Sequence, residues 1–515
     1  MIKMLTWYPR SFTAAAYIAL YVAFGVVLGI STGFLVSTND FWGNWYIAMH
    51  LFDHVPESLY SGAFPAGYPF LLRAAASLTD VVAFSYLLNC ACAALVLAST
   101  FWLCRRMMPG WWSVVPVILV SLYPRMFHYV FTAGADMGAV GFFTLGTAII
   151  LGQLVASRET GGRTGVYVIG GVLFGLAALW RYHALVAGVL FLVAVFAFRP
   201  GHWLRILISG VAMLAVYAPQ FAINAATGHG LLETCHGINV YNLMYGVNWH
   251  RVSELPSGMS IPALIASHPL RFVVSYGGGA ARLGLASIPG LVMLLRARGE
   301  PARMASGICF MFCATYALMF GMSASPRAVL LVVPISFVFA GMLAAEVTGI
   351  IRRRVPRSGN APHIIPAVLL IAAAAMFAGR DVPKVKRIFE NRNVYRRVGE
   401  LVALHGVRSG MQVFATDFDI YFPAFDSPRP LYNGGWGRIA AYGYSRVYPE
   451  LAVDDINDFI SDCYALGIRM LVLTDESRRL SPVLHAIYSG TLNDLRLRKI
   501  GRAGRFKVFA VREIA

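Results

Sequence analysis

Two carboxylates stand out by where they lie. As far as Arg380 the only acids are Asp40, Asp53, Glu57, Asp80, Asp136, Glu159, Glu233, Glu254, Glu300 and Glu346. Asp40, in TNDFW, and Asp136, in AGADMGA, each sit at the edge of a long apolar run. Hydrocarbon gives way to water there, and a partly desolvated carboxylate is costly enough to need a reason. Such a group can take the proton of an attacking hydroxyl. It can also accept N–H bonds from the first turn of a helix starting near Phe41 or Met137. The two roles are compatible, because a capping geometry also fixes a carboxylate at a helix end. Asp40 is therefore read as the chemical centre, with Asp136 as its companion.

Arg73, Arg125, Arg181, Arg251, Arg271, Arg282 and Arg327 fall on the same side of the membrane as these acids in the topology derived below. Those at span ends, in YPRMFH, LWRYHA and ASPRAV, lie at headgroup level, where a guanidinium can fork onto a lipid phosphate. Any one of them alone reads as snorkelling; three together point to a phosphate site. His128 and His183 accompany two of them as hydrogen-bonding interfacial residues rather than metal ligands. Trp42, Trp45, Tyr46 and Tyr68 have the faces to stack on a sugar, although aromatic belts at membrane surfaces are routine. The candidate substrate-binding set is thus Arg73, Arg125, His128, Arg181, His183, Arg327, Trp42 and Tyr68. No metal-ligand spacing occurs; the sequence calls for no cofactor and leaves a divalent cation open.

The elements that position these groups follow from composition. The chain has 515 residues, 58% hydrophobic and 13% charged, which is a polytopic membrane composition. Apolar runs long enough, or nearly so, to cross ~30 Å of hydrocarbon recur about eleven times. They are Phe12–Val36, Val81–Cys104, Trp111–Val130, Met137–Ala156, Val166–Trp180, Ala184–Phe198, Trp203–Phe221, Phe272–Leu295, Met304–Met322, Ala328–Ile351 and Ala361–Ala378. The first is long and lacks a clean small-x-small cleavage pattern, so it reads as a retained span rather than a signal peptide.

The net charge of +18 comes largely from Arg clusters between apolar runs, which is a topology signal rather than a nucleic-acid one. The positive-inside rule puts the N-terminus in the cytoplasm, most simply of a bacterial inner or plasma membrane. Everything after Arg380 then lies outside, together with the loops Ser37–Asp80 and Ile223–Arg271. A short helix over Trp42–Phe52 is expected along the membrane surface before a Pro- and Gly-rich turn. Residues 381–515 carry charges of both signs, β-like runs at Gln412–Ala415, Arg469–Thr474 and Phe506–Val511, and a helical stretch Asp454–Leu466 ending at Gly467. The expected organisation is a helical membrane domain over 1–380 and an extracytoplasmic soluble α/β domain over 381–515. Of the 7 cysteines only Cys235 and Cys463 lie in polar segments, and a disulfide between them is one reading of an oxidising outer location.

Several stretches in this order resemble the glycosyltransferase C (GT-C) superfamily. They are an acid just after the first span, the WYIAMHLF helix, LYSGAFPAGYPFLLR leading into the second span, and AGADMGAVGFFTL after the third. PQFAINAATGHG before a long outer loop, SPRAVLLVVP at a late span, and the soluble C-terminal domain add to the likeness. Within the superfamily the chain is most similar to the polyprenyl- or dolichyl-phosphate-sugar-dependent protein mannosyltransferases and aminoarabinose transferases. That resemblance implies that Asp40 is the catalytic base and that Asp136 is the acid of the second outer loop. Two departures matter. The paired acids of many members are Asn39-Asp40 here, and the basic residue before the second interfacial turn is missing from FPAGYP, leaving Arg73 or Arg125 to take its place.

The expected activity is inverting transfer of a sugar from a polyprenyl-phosphate donor to a glycan, glycolipid or protein acceptor on the outer face. The rivals are a transporter or flippase of a lipid-linked glycan, using the same Arg and Asp residues to hold cargo, and a non-catalytic glycan-binding assembly protein. Nucleic acid is not an expected partner.

Overall fold

The computed structural model describes residues 8–36, 39–51, 64–108, 110–156, 163–228, 230–232, 261–297, 299–321, 327–354, 361–380, 382–417, 420–422, 425, 431–432, 451 and 453–512. In chain order the helices are α1 (Tyr8–Thr32), α2 (Asn39–His50), α3 (Gly67–Ala76), α4 (Val81–Met107), α5 (Val115–Ser121), α6 (Pro124–Val130), α7 (Asp136–Ala156), α8 (Thr164–Trp180), α9 (Tyr182–Phe198), α10 (Trp203–Ala226), α11 (Ile261–Ser267), α12 (Pro269–Gly284), α13 (Ile288–Arg296), α14 (Glu300–Phe320), α15 (Val333–Arg354), α16 (Ala361–Arg380), α17 (Val382–Ala403), α18 (Ile456–Ala465), α19 (Ser477–Leu480) and α20 (Pro482–Ser489). The strands are β1 (Val413–Ala415), β2 (Leu431–Tyr432), β3 (Met470–Leu473), β4 (Leu497–Ala503) and β5 (Phe506–Val511). The chain forms two compact units, one drawn from residues 1–59, 64–233 and 268–385, the other from 60–63, 234–267 and 386–515.

The first unit is a polytopic helical bundle, and the protein is an integral membrane protein. Among the described residues seven helices are long and apolar enough to cross a membrane, or eight if a bent pair is one span. The sequence reading of about eleven spans differs from this: the run Ala361–Ala378 lies in the 20-residue α16, which is not among the seven, and three other runs depart for physical reasons. The run Trp111–Val130 is broken by 67° between Gly110–Ser121 and Pro124–Val130. Pro124 holds the preceding Tyr123 extended, at φ −65° and ψ 123°, so one helix cannot run through. The runs on either side of Arg181 form helices of 17 residues each, short of a full perpendicular span.

Small residues let these helices approach closely. Gly171 and Gly175, one turn apart on α8, pack so tightly on α10 that a Cβ at Gly171 would come within 2.1 Å of the Ser209 carbonyl oxygen. A Cβ at Gly138 on α7 would overlap the Trp180 ring, at 2.0 Å. The start of α7 is thereby seated against the end of α8.

The second unit carries a five-stranded sheet of order β2-β1-β3-β5-β4. β2, β1 and β3 run parallel, and β5 is antiparallel to both β3 and β4. Phe414, Phe459, Ile460, Cys463, Leu471, Leu473, Leu484 and Ile487 form its core. Asp455 caps α18 by accepting from the N–H groups of Asn457 and Asp458, and Gly467, at φ +68°, ends it. The expected strands and helix are therefore present, while β2 and the Arg- and Lys-bearing β4 carried no strand signal in the sequence. Cys463, one half of the disulfide read from the sequence, is a free thiol here, pushed up to about 12 by burial in this core. Cys235 itself lies outside the described residues.

Candidate functional site

The site is assembled by short irregular segments between helices. After α1 the chain turns through Gly33 and Phe34, both at positive φ (62° and 59°). Leu35 then accepts a 2.8 Å bond from the N–H of Ala133, and Val36 forms a parallel bridge with Ala133. This pairing ties the entry to α2, which bears Asp40, to the entry to α7, which bears Asp136. Gly134 is held alongside by a 3.0 Å bond from its N–H to Ser85 Oγ.

Arg181 comes from a third direction. It is the extended residue (φ −150°, ψ 122°) between α8 and α9, and that break aims its side chain away from both helices' backbone ladders. Gly67, at the start of α3, packs on Leu179, where a Cβ would lie 2.6 Å from the carbonyl oxygen. The FPAGYP turn is thus pressed against the Arg181 segment, with the guanidinium carbon 5.7 Å from the Phe64 ring centre. Ala66 N–H donates to Gln220 Oε1 over 2.8 Å, adding α10 to the frame.

The charged groups converge on one point. Arg181 Nη2 donates to Asp40 Oδ2 over 3.1 Å and to Asp136 Oδ2 over 2.8 Å. Arg327, arriving just before α15, donates through Nη1 to the same Asp40 Oδ2 and through Nε to Tyr129 Oη at 2.9 Å. Asn44, one turn along α2, donates to the Asp40 carbonyl oxygen at 2.7 Å and holds that turn in place. Asp136 is almost fully buried, while Asp40 keeps 24% of its side-chain surface open. Burial lowers the Arg327 guanidinium to about 10, which leaves it charged at neutral pH but desolvated. Charge is balanced, carboxylate for guanidinium, and Arg181 Nε is a buried N–H with no acceptor.

Asp40 lies in the first turn of α2 and Asp136 begins α7, but their carboxylates are spent on arginines; the Arg contacts are the ones that define them here. The surface helix expected over Trp42–Phe52 runs over Asn39–His50. Of the arginines expected to hold phosphate, Arg181 and Arg327 are in the cluster. Arg73 donates to Met49 Sδ at 3.8 Å, and Arg125 lies on α6, which also bears His128. The His128 ring packs edge-on to Tyr129, and His183 packs edge-on to Phe320. Trp42 is buried edge-on to Phe41. Tyr68 is fully buried, hydrogen-bonded to Ser85 and packed on Trp180, so in this conformation it supports the Arg181 break from behind. Sequence reasoning missed Tyr129, Asn44 and Gln220, whose types and positions carry no signal apart from the fold. Asp53, Glu57, Glu233, Arg251 and Glu254 lie outside the described residues. Among the described residues no group of three or more His, Cys, Asp or Glu side chains could hold a metal ion.

No protein-family model matches the chain, and no curated protein matches it in sequence. Solved structures do. ArnT from Cupriavidus metallidurans bound to undecaprenyl phosphate is 14% identical, with 96% of this chain and 98% of that chain covered and a TM-score of 0.60. The same protein in the apo state is 15% identical over 97% and 98%, with a TM-score of 0.57. The archaeal oligosaccharyltransferase AglB from Archaeoglobus fulgidus, in complex with an inhibitory peptide and a dolichol-phosphate, is 12% identical over 90% and 70%, with a TM-score of 0.50. With a likeness to ArnT over nearly its whole length, this chain shares the fold of that structure.

Proposed function

We propose that the protein is a membrane glycosyltransferase that moves a sugar from a polyprenyl-phosphate-linked donor to a hydroxyl of a glycan, glycolipid or protein acceptor. The observation that carries the reading is the bridge from Arg181 to both Asp40 and Asp136, with Arg327 on Asp40. A partly open carboxylate suited to accept a proton stands beside guanidiniums suited to hold a leaving phosphate. The fold shared with ArnT and AglB supports the same reading, since the ArnT and AglB structures contain undecaprenyl phosphate and dolichol-phosphate respectively. The membrane unit would house the reaction, and the second unit would be the soluble domain at 381–515, outside the cytoplasm.

In this mechanism the acceptor oxygen attacks the anomeric carbon as the bond to the phosphate oxygen breaks, inverting that carbon. Asp40 takes the acceptor proton late, when carbon–oxygen bond formation has acidified it, because a carboxylate is a weak base for a free hydroxyl. The phosphate leaves with the electron pair, and Arg327 and Arg181 stabilise its charge. Both arginines start on carboxylates, so an arriving phosphate competes for them and leaves Asp40 less neutralised. Asp136, buried behind Arg181, keeps that guanidinium oriented.

The test is transfer of a labelled sugar from a synthetic polyprenyl-phosphate donor by purified protein in lipid, with Asp40→Asn as the comparison. Donor-dependent transfer lost in the variant supports the reading. Donor movement across the bilayer without any new glycosidic bond would replace it with the transporter reading.

A further inference from the structure

Below the charged cluster the bundle contains a small cavity with three buried hydroxyls in its largely apolar wall. A cavity of about 10 Å³ lies between α4, α7 and the start of α15, lined by Ser99, Thr144, Thr147, Phe143, Leu331 and Ile335 among others. Ser99, Thr144 and Thr147 are all more than nine-tenths buried, and none of their hydroxyls has a hydrogen-bond partner. Three such hydroxyls meet at one cavity, whereas the other unpartnered helical hydroxyls, Ser209 and Ser477, lie apart from it. Many helical hydroxyls of this protein fold back on the carbonyl four residues earlier, including Thr100 in the same cavity wall on Val96 at 2.8 Å, Thr227 on Ile223 at 2.9 Å, Ser306 on Ala302 at 2.7 Å, Thr315 on Met311 at 2.7 Å and Thr348 on Ala344 at 2.8 Å. The three hydroxyls at the cavity forgo that local bond.

We infer that the cavity is a water-binding site, in which one water is held by the hydroxyls of Ser99, Thr144 and Thr147. The volume matches one molecule, and three partners is the usual number for a buried water. A charged occupant is disfavoured because no acid or base lines the wall, and an ion there would lack a counter-charge in a low-dielectric interior. An apolar occupant would leave three donors unsatisfied, at a loss for each.

The position gives this water a role. Thr144 and Thr147 continue the Asp136 face of α7, roughly 12 and 17 Å along it at 1.5 Å per residue. Leu331 and Ile335 follow Arg327 in the chain. The water therefore ties α4 to the helix that starts at Asp136 and holds those two elements at their observed separation, with apolar side chains of the segment that follows Arg327 completing the wall.

The test uses the full-length protein in lipid nanodiscs. In X-ray radiolytic footprinting, radicals form at bound water, so Phe143 and Leu331 should be labelled faster than Phe131, which is equally buried but away from the cavity. Thr144→Val and Thr147→Val should each lower the apparent melting midpoint and abolish that labelling. The triple variant Ser99→Ala/Thr144→Val/Thr147→Val should lose less than the sum of the single changes, because it leaves no polar group unpaired. A dry cavity gives the opposite sign, since replacing an unsatisfied hydroxyl by a methyl raises the midpoint. Labelling of Phe143 and Leu331 no faster than that of Phe131 overturns the proposal, even if a variant fails to fold.

Discussion

Arg181 donates from a single nitrogen, Nη2, to Asp136 over 2.8 Å, and the same nitrogen reaches Asp40 over 3.1 Å. The two acids therefore share a proton donor rather than facing one another unshielded. In the proposed reaction a donor phosphate enters only by competing with carboxylates that are already paired.

Asp40→Asn removes the proposed base and keeps the side chain's shape. Sugar transfer should fall by about 10²–10⁴-fold, the usual scale for a general base. Donor binding should be kept or tightened, since the asparagine frees rather than removes Arg327. A transfer assay run beside a donor-binding titration separates the two, and wild-type turnover in the variant would end the assignment.

Arg181→Gln leaves Asp136 buried without its partner, for which losses of about 3–5 kcal/mol are typical. The melting midpoint in detergent should drop sharply. Arg181→Gln/Asp136→Asn should recover much of the loss, because the uncompensated charge is gone, yet transfer should stay low. Equal midpoints for the single and double variants would show that the pair is not coupled.

Arg327→Lys keeps a positive charge but loses the fork that spans Asp40 and Tyr129. A fall of roughly tenfold in donor affinity, about 1.4 kcal/mol, is expected. The acceptor KM should be nearly unchanged. Steady-state kinetics with each substrate varied in turn reads the split, and a larger effect on the acceptor would move Arg327 to the other side of the site.

Gly171→Ala places a methyl 2.1 Å from the Ser209 carbonyl oxygen, a distance no relaxed contact allows. The backbones of α8 and α10 must separate, and because α8 ends at Trp180 the Arg181 anchor shifts with it. Lower thermal stability and lower transfer should appear together, whereas Gly165→Ala, with open space around it, should change neither. An unchanged midpoint for Gly171→Ala would show that the helices are not in contact there.

In the second unit Ser481 caps α20, with its Oγ accepting from Val483 N–H at 3.0 Å. Ser481→Ala should cost about 1 kcal/mol locally. Hydrogen exchange on the full chain should show faster exchange over Pro482–Ser489 with α18 little changed. No difference in that helix would mean the cap carries no weight.

Much of the architecture was legible in the chain because its signals are local. The apolar runs from Val81, Asp136 and Glu300 are long enough to be helices wherever they are placed, and Gly467 ends its helix through its own φ preference. Pro124 shows the limit of a hydropathy reading: its run is apolar enough for a span, yet a backbone rule breaks it. β4 escaped notice because an edge strand bearing Arg498, Lys499 and Arg502 has no apolar alternation to read.

By itself the sequence determined that this is a membrane protein with scarce acids at span boundaries, and it marked Asp40, Asp136, Arg181 and Arg327 as worth placing together. Those inferences rest on the cost of charge near hydrocarbon, which acts residue by residue. Only the tertiary structure decided which arginine meets which acid. That choice depends on the bridge between Val36 and Ala133, the contact of Gly138 with Trp180, and the break at Arg181. Each joins segments far apart in the chain, and ion-pair geometry over about 3 Å is set by such packing rather than by any local preference.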